Sequence, residues 1–211
     1  MSVVNESVVR EYFEMLGYLV SQPRKFTTPG RQKKVDEEVD FVIMNPTVAE
    51  SQLPGHLVWT TPDLKHVSCA VVAVRGWHTE RFYASTIEQT PDILRFVEPG
   101  PIRFAGKLLG TENVAKILCI PKLPASGDLK EKTIRLLKGR GIDGIISFAT
   151  MLSELVGRVD KNKNYEKSDL LQILRILKSY DFFRDAQMEF FTGHHVEKRR
   201  RTPKSQVEEG V

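Results

Sequence analysis

Residues 39–44 (VDFVIM) and 67–74 (VSCAVVAV) are nearly continuous apolar runs, each closed by a turn or charge signal: Asn45 and Pro46 after the first, Arg75 and Gly76 after the second. A strand with one wet face alternates apolar and polar side chains, and these runs do not. They suit central, buried strands, and the rest of the chain must supply their cover. One acid, Asp40, interrupts the first run. A carboxylate among buried side chains is expensive unless it sits near a strand end, a partner or a ligand.

The flanking segments read as that cover. Residues 3–16 place Val4, Val8, Tyr12 and Met15 on one helical stripe, with Val9, Phe13 and Leu16 beside it, after a cap at Ser2 or Asn5. Gly17 stops this helix, and residues 18–22 form a short strand ending at Pro23. Residues 47–66 form an irregular connection with a short strand at 56–60. Residues 91–97 and 102–109 are helical pieces broken by Pro99, Gly100 and Pro101. Strand 114–120, helix 129–138 and strand 142–148 make a parallel crossover unit, with Gly139, Gly141 and Gly144 assigned to the helix stop and turn. Two helices follow, 149–159 and 168–180, the second opened by Ser168 and Asp169. Their apolar stripes fit either packing on the core or a partner surface, a homodimer included.

Composition narrows the class. Hydrophobic residues make up 41% and charged residues 27% of 211, which are ordinary globular values. The chain contains no run of about 18 apolar residues, and Asn5, Glu6, Arg10 and Glu11 stand where a signal peptide needs an apolar stretch, so a cytoplasmic protein with no membrane partner is expected. Cys69 and Cys119 lie inside apolar runs and read as buried thiols. The net charge of +4 is modest, but basic residues cluster at Arg24, Lys25, Arg31, Lys33 and Lys34, and again at 198–204. Such clusters suit an anionic partner.

The order helix, strand, acid-bearing strand, second buried strand, helix, strand resembles the PD-(D/E)xK (restriction endonuclease-like) nuclease superfamily. The likeness covers about residues 3–121 and is nearest to the resolvase-like branch, through ESVVREYFEMLGYLV at 6–20. It implies an α/β fold with an αβββαβ core and a mixed central sheet, followed by a C-terminal βα unit and helical extension. The corresponding division is a core at 1–148, a helical extension at 149–191 and a basic tail at 192–211. It also implies a Mg²⁺-dependent phosphodiesterase acting on nucleic acid, DNA foremost. Such chemistry needs convergent carboxylates, because Mg²⁺ prefers hard oxygen ligands and must offset phosphate charge.

Asp40 matches the family's first acid, whereas the acid-x-Lys triplet is replaced by Ala73, Val74 and Arg75. Ala73 offers no ligand. Arg75 keeps a positive charge that can hold a phosphate but cannot be deprotonated. The resemblance therefore assigns catalysis to Asp40, Arg75 and Glu6, and metal binding to Asp40 with Glu6 or Glu38, with His78 and Glu80 as replacements beyond the triplet. Trp77, His78 and Arg81, beside Phe82 and Tyr83, join the basic loop as a nucleic-acid surface at the strand's C-terminal end. Loss of catalysis with retained binding, or a non-catalytic scaffold, is the alternative that the eroded triplet raises.

Overall fold

The computed structural model describes residues 3–23, 38–76, 78 and 81–183. Helix α1 (Val3–Met15) buries Val8, Val9, Tyr12 and Phe13 on one side. Its end is set by Gly17, whose φ of 87° lies in the left-handed region. Gly17 N–H donates to the Glu14 carbonyl at 3.0 Å, and Tyr18 N–H to the Phe13 carbonyl at 3.0 Å. The Tyr18 and Phe13 rings then meet edge to face, 5.5 Å between centroids. This paired closure with its apolar contact is a Schellman stop, and it aims the chain directly into strand β1 (Leu19–Ser21).

Strands β2 (Phe41–Met44), β3 (Cys69–Val74), β4 (Ala115–Ile120) and β5 (Gly144–Ser147) complete a sheet with spatial order β1-β2-β3-β4-β5. The first two pairings are antiparallel and the last two parallel, so the sheet is mixed and open. The expected apolar runs are thus the central strands, and all six residues of β3 are buried. Residues of 56–60 contribute one bridge, Val58 to Ile145, rather than a strand. Trp59 N–H donates to Ile145 at 2.8 Å and Ile145 N–H to Leu57 at 2.7 Å, which covers the outer edge of β5.

Side chains alternate between two cores. Phe41, Ile43, Ala70, Val72, Ile117 and Cys119 face α1, α5 (Phe148–Arg158) and α6 (Asp169–Ser179). Val42, Val71, Ala73, Leu118, Ile120 and Ile145 face α2 (Ala84–Gln89), a 3₁₀ segment (Pro91–Val97), α3 (Pro99–Leu109) and α4 (Gly127–Gly139). The outcome is an α/β fold with helices on both faces of the sheet. Met151 and Leu155 of α5, with Leu171 and Leu174 of α6, join the α1 core, so both C-terminal helices pack on the sheet layer. Burial of each such side chain contributes about 1.5–3 kcal/mol.

Some local expectations change, and one element is added. Pro99 and Pro101 do not break α3 but lie in its first turn, where the missing N–H has no helical partner to lose. Helix α2, six residues long, occupies a stretch with no sustained apolar period. Gly144, assigned to a turn although inside the expected strand 142–148, opens β5: a Cβ there would stand 2.2 Å from the Trp59 indole, which is fully buried. Cys69 and Cys119 are buried unpaired thiols, as expected. Among the described residues, no helix is long and apolar enough to cross a membrane.

Candidate functional site

The antiparallel register of β2 and β3 pairs Phe41 with Val72, which sets Asp40, one residue before β2, against the C-terminal end of β3. There Asp40 Oδ2 accepts a hydrogen bond from the Val74 N–H at 2.7 Å and another from Arg75 Nη1 at 2.9 Å. The two side chains are only 13% and 11% exposed. Arg75 is held on all sides: Nη1 also donates to the Val74 carbonyl at 2.8 Å, while Nε and Nη2 reach the Ile93 carbonyl at 3.1 and 2.8 Å. Four of the guanidinium's five N–H donors are thereby accounted for.

Burial pushes the Asp40 carboxyl above the usual aspartate value, and the nearby Glu6 charge pushes the same way. The Arg75 charge and the Val74 N–H pull it back down without cancelling the burial. The pair is therefore a desolvated ion pair, not a surface contact.

Glu6 lies in the first turn of α1. Its Oε2 accepts from Gln22 Nε2 at 2.8 Å, and Gln22 Oε1 in turn accepts from Arg10 Nη2 at 2.9 Å. Arg10 also stands over the Phe41 ring, 5.5 Å from its centroid. Glu6 thus acts on Asp40 through space, with no bond between them. Glu38, expected on a shared strand face with Asp40, precedes the strand and faces Arg95 Nη1 at 3.7 Å. Each of the three acids has its own partner.

A second cluster forms just beyond Arg75. Asn5, in α1 and 7% exposed, donates from Nδ2 to the Gly76 carbonyl at 3.1 Å, and its Oδ1 is 2.8 Å from His78 Nε2. The His78 ring meets the Phe148 ring edge to face, 4.8 Å between centroids. Three elements converge here: the start of α1, the exit of β3 and the start of α5. Nothing in the sequence singled out Asn5 for this role; it read as a helix cap, whereas it sits inside the helix with its amide turned to a carbonyl 71 residues away.

Of the remaining expected site residues, Arg81 donates from Nη1 to the Leu123 carbonyl at 3.3 Å on an exposed surface. Phe82 belongs to the core, 2% exposed, while Tyr83 is 36% exposed. Arg24, Lys25, Arg31, Lys33, Lys34, Trp77 and Glu80 lie outside the described residues.

A resident Mg²⁺ would need several oxygen donors aimed at one point. Ala73 supplies none, Asp40 Oδ2 already holds a cation and a backbone donor, Glu6 is hydrogen-bonded to Gln22, and Glu38 faces the Arg95 guanidinium at 3.7 Å. Among the described residues, no group of three or more His, Cys, Asp or Glu side chains is placed to hold a metal ion. As arranged, the donors do not fit Mg²⁺; what they do form is a carboxylate with a built-in counter-ion. No protein-family model, no curated protein and no solved structure matches this chain.

Proposed function

We propose that the chain is a nuclease-like protein that binds nucleic acid without cleaving it. The observation that carries this reading is the Asp40–Arg75 pair at 2.9 Å: the acid that would recruit a metal is neutralised from within. The open sheet supports it too, since Asp40, Arg75, His78 and Arg81 gather at the C-terminal end of parallel strands, where such sheets present ligands. The sequence clusters Arg24, Lys25, Arg31, Lys33 and Lys34 supply the charge a polyanion needs.

The test is a paired assay on purified protein. Single- and double-stranded DNA and RNA are incubated with Mg²⁺ or Mn²⁺, and binding is measured across a salt series. No cleavage is expected, with an affinity that falls linearly in log–log form as salt rises. A second reading, a metal-dependent nuclease, draws on one observation: Glu6 is close enough to Asp40 to raise its carboxyl. Metal-dependent cleavage abolished by Asp40→Ala would establish that reading and end the first. Absence of binding at low salt would end both.

A further inference from the structure

The Asn5 amide can face His78 in only one way. Its other side meets the Gly76 carbonyl, which is an acceptor and nothing else, so the Nδ2 must point there, 3.1 Å away. A flipped amide would set two carbonyl oxygens against each other. Oδ1 is therefore turned to His78, and at 2.8 Å the only complementary atom is an Nε2 that carries its proton. A backbone carbonyl fixes an amide, and the amide fixes a tautomer. The Phe148 ring, edge to face at 4.8 Å, holds the plane of the imidazole. Gly76 is needed for this approach, because a Cβ there would lie 1.7 Å from the Asn5 Nδ2.

The opposite ring nitrogen, Nδ1, bonds to no polar atom among the described residues, and His78 is exposed. When the ring is neutral this atom is an acceptor. Nucleic-acid phosphates are acceptors as well and offer it nothing. The donors of such a ligand are the exocyclic amines and ring imino N–H groups of unpaired bases and, in RNA, the ribose 2′-hydroxyl.

We infer that Asn5 is a positioning residue that locks His78 in the Nε2–H tautomer, so that Nδ1 accepts a hydrogen bond from a base N–H or 2′-hydroxyl of a bound single strand. The ligand half rests on the nucleic-acid reading above; the tautomer half does not.

Two measurements separate them. Long-range ¹H–¹⁵N spectra of the full chain at about pH 8, where imidazoles are generally neutral, read the tautomer directly. A protonated-type Nε2 and an unprotonated-type Nδ1 are expected for His78, lost to a mixture in Asn5→Leu. An Nδ1–H tautomer in the parent protein, or an unchanged spectrum in Asn5→Leu, overturns the lock. Binding of a DNA and an RNA oligonucleotide of the same sequence is then compared for the parent and His78→Phe, which keeps the ring against Phe148. A loss of about three- to tenfold is expected. If it occurs for both oligonucleotides a base N–H is the donor, and if for RNA alone, the 2′-hydroxyl. Equal affinity of His78→Phe and parent for both overturns the ligand half while sparing the nucleic-acid reading; no binding by either protein overturns both of those and leaves the tautomer to the spectra.

Discussion

Asn5 and Gly76 stand so close that any side chain at 76 would overlap the Asn5 amide: a Cβ there falls 1.7 Å from Nδ2 and 2.4 Å from Cγ. Gly76→Ala must displace the start of α1 or rotate Asn5 off its carbonyl. A loss of about 1–3 kcal/mol is expected, the range for overpacking a filled site, read as a lower urea midpoint with an unchanged slope. Combined with Asn5→Ala, which makes room for the methyl, the penalty of the glycine change should shrink.

The Asp40–Arg75 pair calls for a double-mutant cycle. Asp40→Ala strands a guanidinium that is 11% exposed, and Arg75→Ala strands a carboxylate 13% exposed. Each single change should destabilise by about 3 kcal/mol, because an uncompensated buried charge remains. Removing both leaves neither charge behind, so the double variant should lose clearly less than the sum, with a coupling of about 1–3 kcal/mol. Additive losses would mean the contact carries little energy.

The titration of Asp40 has a defined sign. Its carboxyl lies above the ordinary value, through burial first, with Arg75 opposing and Glu6 reinforcing. In carboxyl ¹³C titrations, Arg75→Gln should move the midpoint further up and Glu6→Gln should move it down. A raised carboxyl in the folded state means its contribution to stability is complete below the unfolded value, about 3.9, and is lost as pH rises through the folded one. The parent should therefore lose stability relative to Asp40→Asn over that rise; the opposite slope would place burial second to Arg75.

Gly144 and Trp59 form the other tight contact. A methyl at 144 would enter the indole at 2.2 Å from Cε3, so Gly144→Ala should cost about 1–3 kcal/mol and quench or shift Trp59 fluorescence, the ring being wholly buried. Trp59→Ala should cost about 3–5 kcal/mol through the cavity it leaves. In Trp59→Ala the effect of Gly144→Ala should largely vanish.

The strands and the long helices were legible because burial on both faces writes itself into the sequence: the runs at 39–44 and 67–74 could be little else. Helix α2 was not, since its six residues, ASTIEQ, give too few turns for a period to show. The helix α3 start was misread because a proline's meaning depends on whether it falls in the first turn, which only the structure fixes. At the site, Asp40 and Arg75 were singled out individually, but their pairing follows from strand register, and register is a property of two strands at once. Asn5 was opaque for a stronger reason: its partners are a backbone carbonyl and a side chain more than 70 positions away, and neither leaves a local pattern.

The strand order repeats the chain order, so every hydrogen-bonded neighbour in the sheet is the next strand to be synthesised. A nascent chain can extend this sheet one strand at a time, from its amino end, without leaving a gap to be filled later. The exception is the 57–59 segment, which must wait for β5, with 86 residues between Val58 and its partner Ile145. Until then Trp59 has no seat, and its docking over Gly144 closes the assembly of the sheet, the step at which it acquires its final border before α5 and α6 cover the α1 face.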